Sequence, residues 1–183
     1  MEVYRLADTV KMNDSQTEYL NLIAELMSIR KRGEVPLAYI RTYGCQQNVA
    51  DSERIKGMLR VAGYSFTENA EDADFILFNT CAVREHAEQR VLGNVGALNH
   101  TKKARPGQVI ALCGCMVQQE HMTEKIRRSY PIVDLVFGPH ELWRFPELLE
   151  QVMEKHRRVF ATEQQNGVDF AEDRKSTRLN SSH

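Results

Sequence analysis

Asp74-Phe75-Ile76-Leu77-Phe78-Asn79 is the stretch on which the fold turns. Four consecutive large apolar residues between two polar ones read as a strand buried on both faces, and such strands belong to parallel sheets covered by helices. The flanking sequence repeats the theme. Upstream, Leu37-Ala38-Tyr39-Ile40-Arg41-Thr42-Tyr43 reads as a first strand. Ile55, Met58, Leu59 and Ala62 then mark the apolar face of a helix that Gly63 closes. Downstream, Ala87, Val91, Val95 and Leu98 line a helix expected over about 84–102, and Pro106-Gly107 makes a turn. Val109-Ile110-Ala111-Leu112-Cys113 is the third strand and Val133-Asp134-Leu135-Val136-Phe137 the fourth, with Met122 and Ile126 facing inward on the helix between them. Pro146 suits the first turn of a helix carrying Leu148, Leu149, Val152 and Met153, and Arg158-Val159-Phe160 reads as a last short strand. This alternation predicts an α/β domain: a doubly wound, mostly parallel sheet of four to five strands with right-handed crossovers. No GxGxxG follows the first strand, so no dinucleotide site is predicted.

The domain is expected over residues 37–160. Residues 1–36 read as an N-terminal helical extension that packs on the outside. Its helix spans about 16–31, with Leu20, Ile23, Ala24 and Met27 on one face, Asp14 or Ser15 as the cap, and Gly33 and Pro36 at the close. Residues 161–183 show no periodicity and read as a linker followed by a tail. The last ten, RKSTRLNSSH, resemble a translated sequencing-adapter read-through, so native sequence is expected to stop near Asp173.

Composition narrows the function classes. The 183 residues carry 24 Lys+Arg against 25 Asp+Glu, a net charge of -1, which excludes a basic nucleic-acid arm or a polybasic membrane patch as the main feature. No apolar run approaches the roughly 18 residues needed to cross a bilayer. The N-terminus carries acids and amides where a signal peptide needs an apolar stretch. The expected compartment is the cytoplasm, where thiols stay reduced. The four cysteines are then metal ligands, reactive thiols or core residues rather than disulfides.

Their placement is informative. Cys45 follows the first strand in Tyr-Gly-Cys-Gln-Gln-Asn (43–48), Cys81 the second in Asn-Thr-Cys-Ala-Val-Arg-Glu (79–85), and Cys115 the third in Gly-Cys-Met-Val-Gln (114–118). They stand about 35 residues apart, about one βα unit. Each therefore occupies the loop at the C-terminal end of a strand, the edge at which open α/β sheets bind ligands. Three converging thiols suit a soft metal or an iron–sulfur cluster. The start of each following helix stabilises thiolate there, and three ligands leave one metal corner open. Cys113 continues the third strand and fits a core position. Zinc held by Cys45, Cys81, Cys115 and one of His86, His121 or His140 is the chemical rival. Arg30-Lys31-Arg32, Lys102-Lys103, Arg127-Arg128 and Arg157-Arg158 are basic clusters, most of them in last helical turns, where they complement the dipole. Trp143 and Phe145 face either the core or another domain. No nucleophile–base pair or carboxylate pair stands out, and catalytic residues stay unassigned.

The same three motifs carry a family resemblance. In order and spacing they resemble the N-terminal domain of the radical-SAM methylthiotransferases, and Asp51-Ser52-Glu53 and Phe137-Gly138-Pro139-His140-Glu141-Leu142 fit as well. The match covers about residues 37–160. It implies a flavodoxin-like methylthiotransferase N-terminal domain. It also implies that Cys45, Cys81 and Cys115 hold an auxiliary 4Fe-4S cluster involved in sulfur supply. Arg84-Glu85-His86-Ala87-Glu88 and Phe137-Gly138-Pro139-His140 are most similar to members that act on tRNA. These convert isopentenyl-adenosine beside the anticodon to its 2-methylthio derivative with S-adenosylmethionine. Sister members act on another tRNA base or on a ribosomal protein, and a non-catalytic α/β module with a structural zinc is the alternative outside the family. The family's second 4Fe-4S cluster, its S-adenosylmethionine site and its radical-SAM barrel have no counterpart here, since no cysteine follows Cys115. The resemblance thus implies a truncated chain, inactive alone, whose partners are that barrel and, through the full-length enzyme, tRNA.

Overall fold

The computed structural model describes residues 12–81, 85–162 and 169–171, with side chains for 12–81 and 88–162. Seven strands form one sheet in the order β2-β1-β3-β4-β5-β6-β7. They are β1 (Leu37–Tyr43), β2 (Ser65–Phe66), β3 (Phe75–Thr80), β4 (Val109–Gly114), β5 (Leu135–Phe137), β6 (Arg158–Ala161) and β7 (Asp169–Ala171). The first six run parallel and β7 pairs antiparallel with β6. The order 2-1-3-4-5 is that of flavodoxin-like sheets.

The expected four to five strands are thus too few. β2 has only two residues, too short to show a period, and exists because Ser65 N–H reaches Pro36 O at 2.9 Å and Thr67 N–H reaches Ala38 O at 3.0 Å. β7 lies within the segment expected to be linker. Its three residues pair with Arg158, Val159 and Phe160, so the open edge of β6, not local periodicity, makes it a strand. The rest of the linker and tail expectation, 163–168 and 172–183, lies outside the described residues.

Among the described residues, six α-helices wind the sheet on both faces: α1 (Asp14–Arg30), α2 (Gln46–Val61), α3 (Glu85–Ala97), α4 (Asn99–Ala104), α5 (Glu120–Ser129) and α6 (Phe145–Lys155). Every residue of β3 and β4 is buried, and their alternate side chains feed two cores. Phe75, Leu77, Val109 and Ala111 pack with Leu20 of α1, Ile55 and Leu59 of α2, and Leu148 and Val152 of α6. Ile76, Phe78, Ile110 and Leu112 pack with Val91 and Val95 of α3 and Met122 and Ile126 of α5. Two-sided burial is what the continuous apolar run of β3 specified.

Helix α1 is anchored to the domain by one buried face. Leu20 and Ile23 are fully buried, and Gln16 and Arg30 donate hydrogen bonds to the carbonyls of Trp143 and Met153, tying both ends of α1 to the α6 region. Its cap is Asn13, not Asp14 or Ser15. Asn13 Oδ1 accepts from Gln16 N–H at 2.8 Å and Gln16 Oε1 accepts from Asn13 N–H at 3.0 Å, a reciprocal box that needs a side-chain acceptor three residues on. The single helix expected over 84–102 breaks at Leu98. There Asn99 Nδ2 donates to Gly96 O at 2.8 Å and the His100 ring meets Ala97 O at 2.8 Å, so side chains take over carbonyls the helix would have used.

The N-terminal edge of the sheet is pinned by two acids. Asp134 accepts from Ile110 N–H at 2.9 Å and from Lys102 at 2.7 Å. Asp74 accepts from Leu37 N–H at 2.8 Å, Arg105 at 2.7 Å and Lys31 at 3.3 Å. Asp74→Ala removes the shared acceptor from two cations and a strand amide. It is expected to lower stability by about 2 kcal/mol, read as a shift in the urea midpoint at unchanged slope. Arg158 anchors the next loop, donating to the carbonyls of Val133, Arg127, Ile126 and Tyr130. It sits in β6 and closes the C-terminus of α5 from across the chain.

Candidate functional site

The opposite, C-terminal edge carries the cysteines. Register fixes their neighbourhood: Tyr43 pairs with Thr80, and Thr80 pairs with Gly114, across three adjacent strands. The residues that follow are Gly44, Cys81 and Cys115, with Cys45 one further on. Neighbouring strands lie about 4.8 Å apart, so the loops bearing Cys45, Cys81 and Cys115 leave the sheet side by side. The order β2-β1-β3 reverses direction between β1 and β3, which is where such sheets open a crevice.

Each thiol is placed differently. Cys45, in an extended conformation, is the residue that caps α2, and its carbonyl accepts the first helical bond from Val49 N–H at 3.2 Å. The backbone N–H groups of Asn48 and Gln47, and more weakly the Cys81 thiol, hold the Cys45 thiol below its ordinary range. Cys81 is half-buried, and its N–H donates to Tyr43 O at 2.8 Å, extending the β1–β3 ladder by one bond. Cys115 opens a 3₁₀ turn over Cys115–Gln118. Partial burial of its thiol, then the neighbouring charges of Cys81, Cys45 and Asp51, push its pKa up. All four cysteines are free. Cys113 is 2 % exposed, on the α1–α2–α6 side of β4, which is the core position expected for a strand residue.

Beneath the thiols lies a buried polar network. Asn48 Oδ1 accepts from Cys45 N–H at 3.1 Å and from its S–H at 3.3 Å. Asn48 Nδ2 donates to Asn79 Oδ1 at 2.9 Å, and Asn79 Nδ2 donates to Asn48 O at 2.9 Å and to Ser52 Oγ at 3.0 Å. Ser52 Oγ and the Thr42 hydroxyl are 2.7 Å apart. Two glycines make room for it. A Cβ on Gly44 would stand 2.3 Å from Asn48 Oδ1 and 2.9 Å from the Cys81 Cβ, and one on Gly114 2.2 Å from Thr80 O and 2.7 Å from Asn79 Oδ1. Asn48, Asn79, Gly44 and Gly114 lie inside the cysteine motifs, where sequence pattern alone assigns them no role. The available signal was Asn79, a polar side chain ending a run of buried apolar residues.

His121 and His140 are exposed, and the side chain of His86 lies outside the described residues, as do residues 82–84. Among the described residues, no three His, Cys, Asp or Glu side chains stand within reach of one metal ion. Gly138, after β5, packs against Gln118 at the end of the Cys115 turn, so the two motifs touch. Phe145 is fully buried between Phe75 and Phe137, whereas Trp143 is exposed. No helix among the described residues is long and apolar enough to cross a membrane.

Residues 37–138 match the uncharacterized protein family UPF0004, and the chain belongs to that family. Its similar relatives are named tRNA-2-methylthio-N(6)-dimethylallyladenosine synthase. The one from Alkaliphilus oremlandii is 52% identical over 132 residues, 72% of this chain and 28% of the relative. That from Clostridium perfringens (strain SM101 / Type A) is 48% identical over 129 residues, 70% of this chain and 29% of the relative. The one from Caldicellulosiruptor saccharolyticus is 42% identical over 161 residues, 87% of this chain and 32% of the relative. The chain thus spans about three tenths of the length of these relatives. The resemblance carried by the three motifs is to these methylthiotransferases, the MiaB type.

Proposed function

We propose that this chain is the part of a tRNA methylthiotransferase that binds an auxiliary 4Fe-4S cluster through Cys45, Cys81 and Cys115. The observation that carries the reading is the register Tyr43–Thr80–Gly114, which sets three free cysteines on adjacent strand ends at the switch point of the sheet. The donor set suits the group: soft thiols, one of them capping α2 and held below its ordinary range by two backbone amides. A polynuclear cluster takes each thiolate on a different iron, which loops one strand apart supply. A zinc ion needs its ligands on one point. When bound, the cluster would supply sulfur for transfer, with one corner free of protein ligand. This chain's own residues hold the thiols at the edge, keep Cys113 away from it, and lower the proton affinity of Cys45.

The relatives' names speak of 2-methylthio-N(6)-dimethylallyladenosine in tRNA, and on that likeness the full reaction is proposed to be the methylthiolation of isopentenyl-adenosine in tRNA, with S-adenosylmethionine, in the cytoplasm. The 183 residues hold no cysteine beyond Cys115, and the radical chemistry and a second 4Fe-4S cluster are proposed to need residues other than these. Alone, the chain is proposed to bind the auxiliary cluster without completing the reaction. The domain so used covers about 37–160, with α1 packed onto it.

The test is anaerobic incubation of the chain with ferrous iron and sulfide, then counting both per chain. About four of each, with the brown absorption of a 4Fe-4S centre, is the expected result. Uptake of zinc alone, colourless and without sulfide, would overturn the reading.

A further inference from the structure

We infer that Asn48 and Asn79 form a buried amide clamp that sets the relative position of the three cysteine loops, and that they are positioning residues for the cluster. The inference rests on the cluster reading above. The two side chains are 3 % and 1 % exposed, so their polar atoms have no recourse to water. They are nevertheless satisfied, and by each other: Asn48 Nδ2 donates to Asn79 Oδ1, and Asn79 Nδ2 returns to Asn48 O. Each amide belongs to a different cysteine loop. Asn48 stands three residues after Cys45 and holds its N–H; Asn79 stands two before Cys81 at the end of β3.

The third loop is tied in by shape. Gly114, immediately before Cys115, lies so close to Asn79 Oδ1 that a side chain there would collide with it. Gly44, immediately before Cys45, approaches Asn48 Oδ1 and the Cys81 Cβ in the same way. The clamp therefore reads the position of all three cysteine-bearing segments at once, and Ser52 with Thr42 carries it back to α2 and β1. A buried, reciprocally bonded amide pair gives little net stability over an apolar pair of the same shape. Its value lies in fixing one geometry, because any slip of one loop leaves a buried polar group unpaired.

Outer residues that orient ligands usually account for about 10- to 100-fold in metal affinity. The proposed experiment compares wild type with Asn48→Ala, Asn79→Ala and Asn79→Asp after anaerobic reconstitution, reading the rate of iron loss to a chelator and the electron paramagnetic resonance spectrum of the reduced protein. Thermal melts of the iron-free chains run alongside. Both alanine variants are expected to lose iron about tenfold faster or more and to alter the spectrum, with iron-free melts that stay cooperative. Asn79→Asp keeps the Oδ1 acceptor but sets a second carboxylate oxygen against Asn48 O, where Nδ2 had donated, and is expected to lose iron at least as fast as the alanine variants. Wild-type retention and spectrum in either alanine variant would overturn the clamp while leaving the cluster reading intact. Failure of the wild type to take up iron and sulfide would overturn both. If an alanine variant does not fold, Asn79→Asp decides: a wild-type loss rate and spectrum in it overturns the clamp.

Discussion

Alanine at Cys45, at Cys81 or at Cys115 is expected to leave the chain folded and to abolish its capacity to hold iron and sulfide, while alanine at Cys113 leaves that capacity intact. Cys45 and Cys115 are exposed and Cys81 is half-buried, so removing any one sulfur opens no large core cavity. A cluster stripped of one of three protein ligands exposes a second iron corner to solvent and chelators, and its retention collapses. Cys113 is the opposite case. It is packed in the core beside Phe137 on the next strand, and burial pushes its thiol well above the ordinary range. Cys113→Ala is expected to remove about 1 kcal/mol of packing and no iron. Iron and sulfide counted per chain after reconstitution, with urea midpoints on the same samples, separate the two effects. Equal loss of iron in Cys113→Ala would show that the ligand set is wrong.

Gly114→Ala is expected to be the most damaging single change at this edge of the sheet. Gly114 has φ 101°, a conformation that L side chains rarely adopt, and its Cβ would stand 2.2 Å from Thr80 O and 2.8 Å from Thr80 N. Those are backbone atoms of the neighbouring strand, so no rotamer change relieves the contact. Strain at positive φ is of order 1–3 kcal/mol, and forcing packed elements apart adds about 1–3 more. The expected loss is about 3 kcal/mol or more, roughly 10 °C in melting temperature for a domain of this size. Gly107→Ala is the control. Nothing lies within 4 Å of its Cβ position, and it is expected to stay within about 0.5 kcal/mol of wild type. A Gly114→Ala protein as stable as the control would refute the close approach of β3 and β4 seen here.

Much of this architecture was legible from residue order. The apolar run at 75–78, the spacing of Ile55, Met58 and Leu59, and Pro146 in a first helical turn each reappear as β3, α2 and α6. Local patterns report burial, and burial on two faces requires helices on two faces. What escaped was set by partners distant in sequence. β2 and β7 are too short to have a period, and exist because neighbouring strands offered them hydrogen bonds. Helix α1 showed an apolar stripe, but the stripe does not say what covers it. Gln16 and Arg30 answer that through carbonyls more than 120 residues away. Phe145 and Trp143, two aromatics separated by one residue, were equivalent in sequence and are opposite in burial.

The cysteine edge divides the same way. Residue order alone specifies that three cysteines end three strands, because strand length and βα repeat are local quantities. It determined the two-sided core and the chemical character of the edge as well. That those strands are neighbours in one register, and that Asn48 and Asn79 meet between Gly44 and Gly114, follows only from the closed chain. The physical reason is that adjacency and close contact are properties of pairs of segments. An asparagine in a motif has a polar side chain; its partner, and the glycine that makes room for it, exist only once the chain has closed.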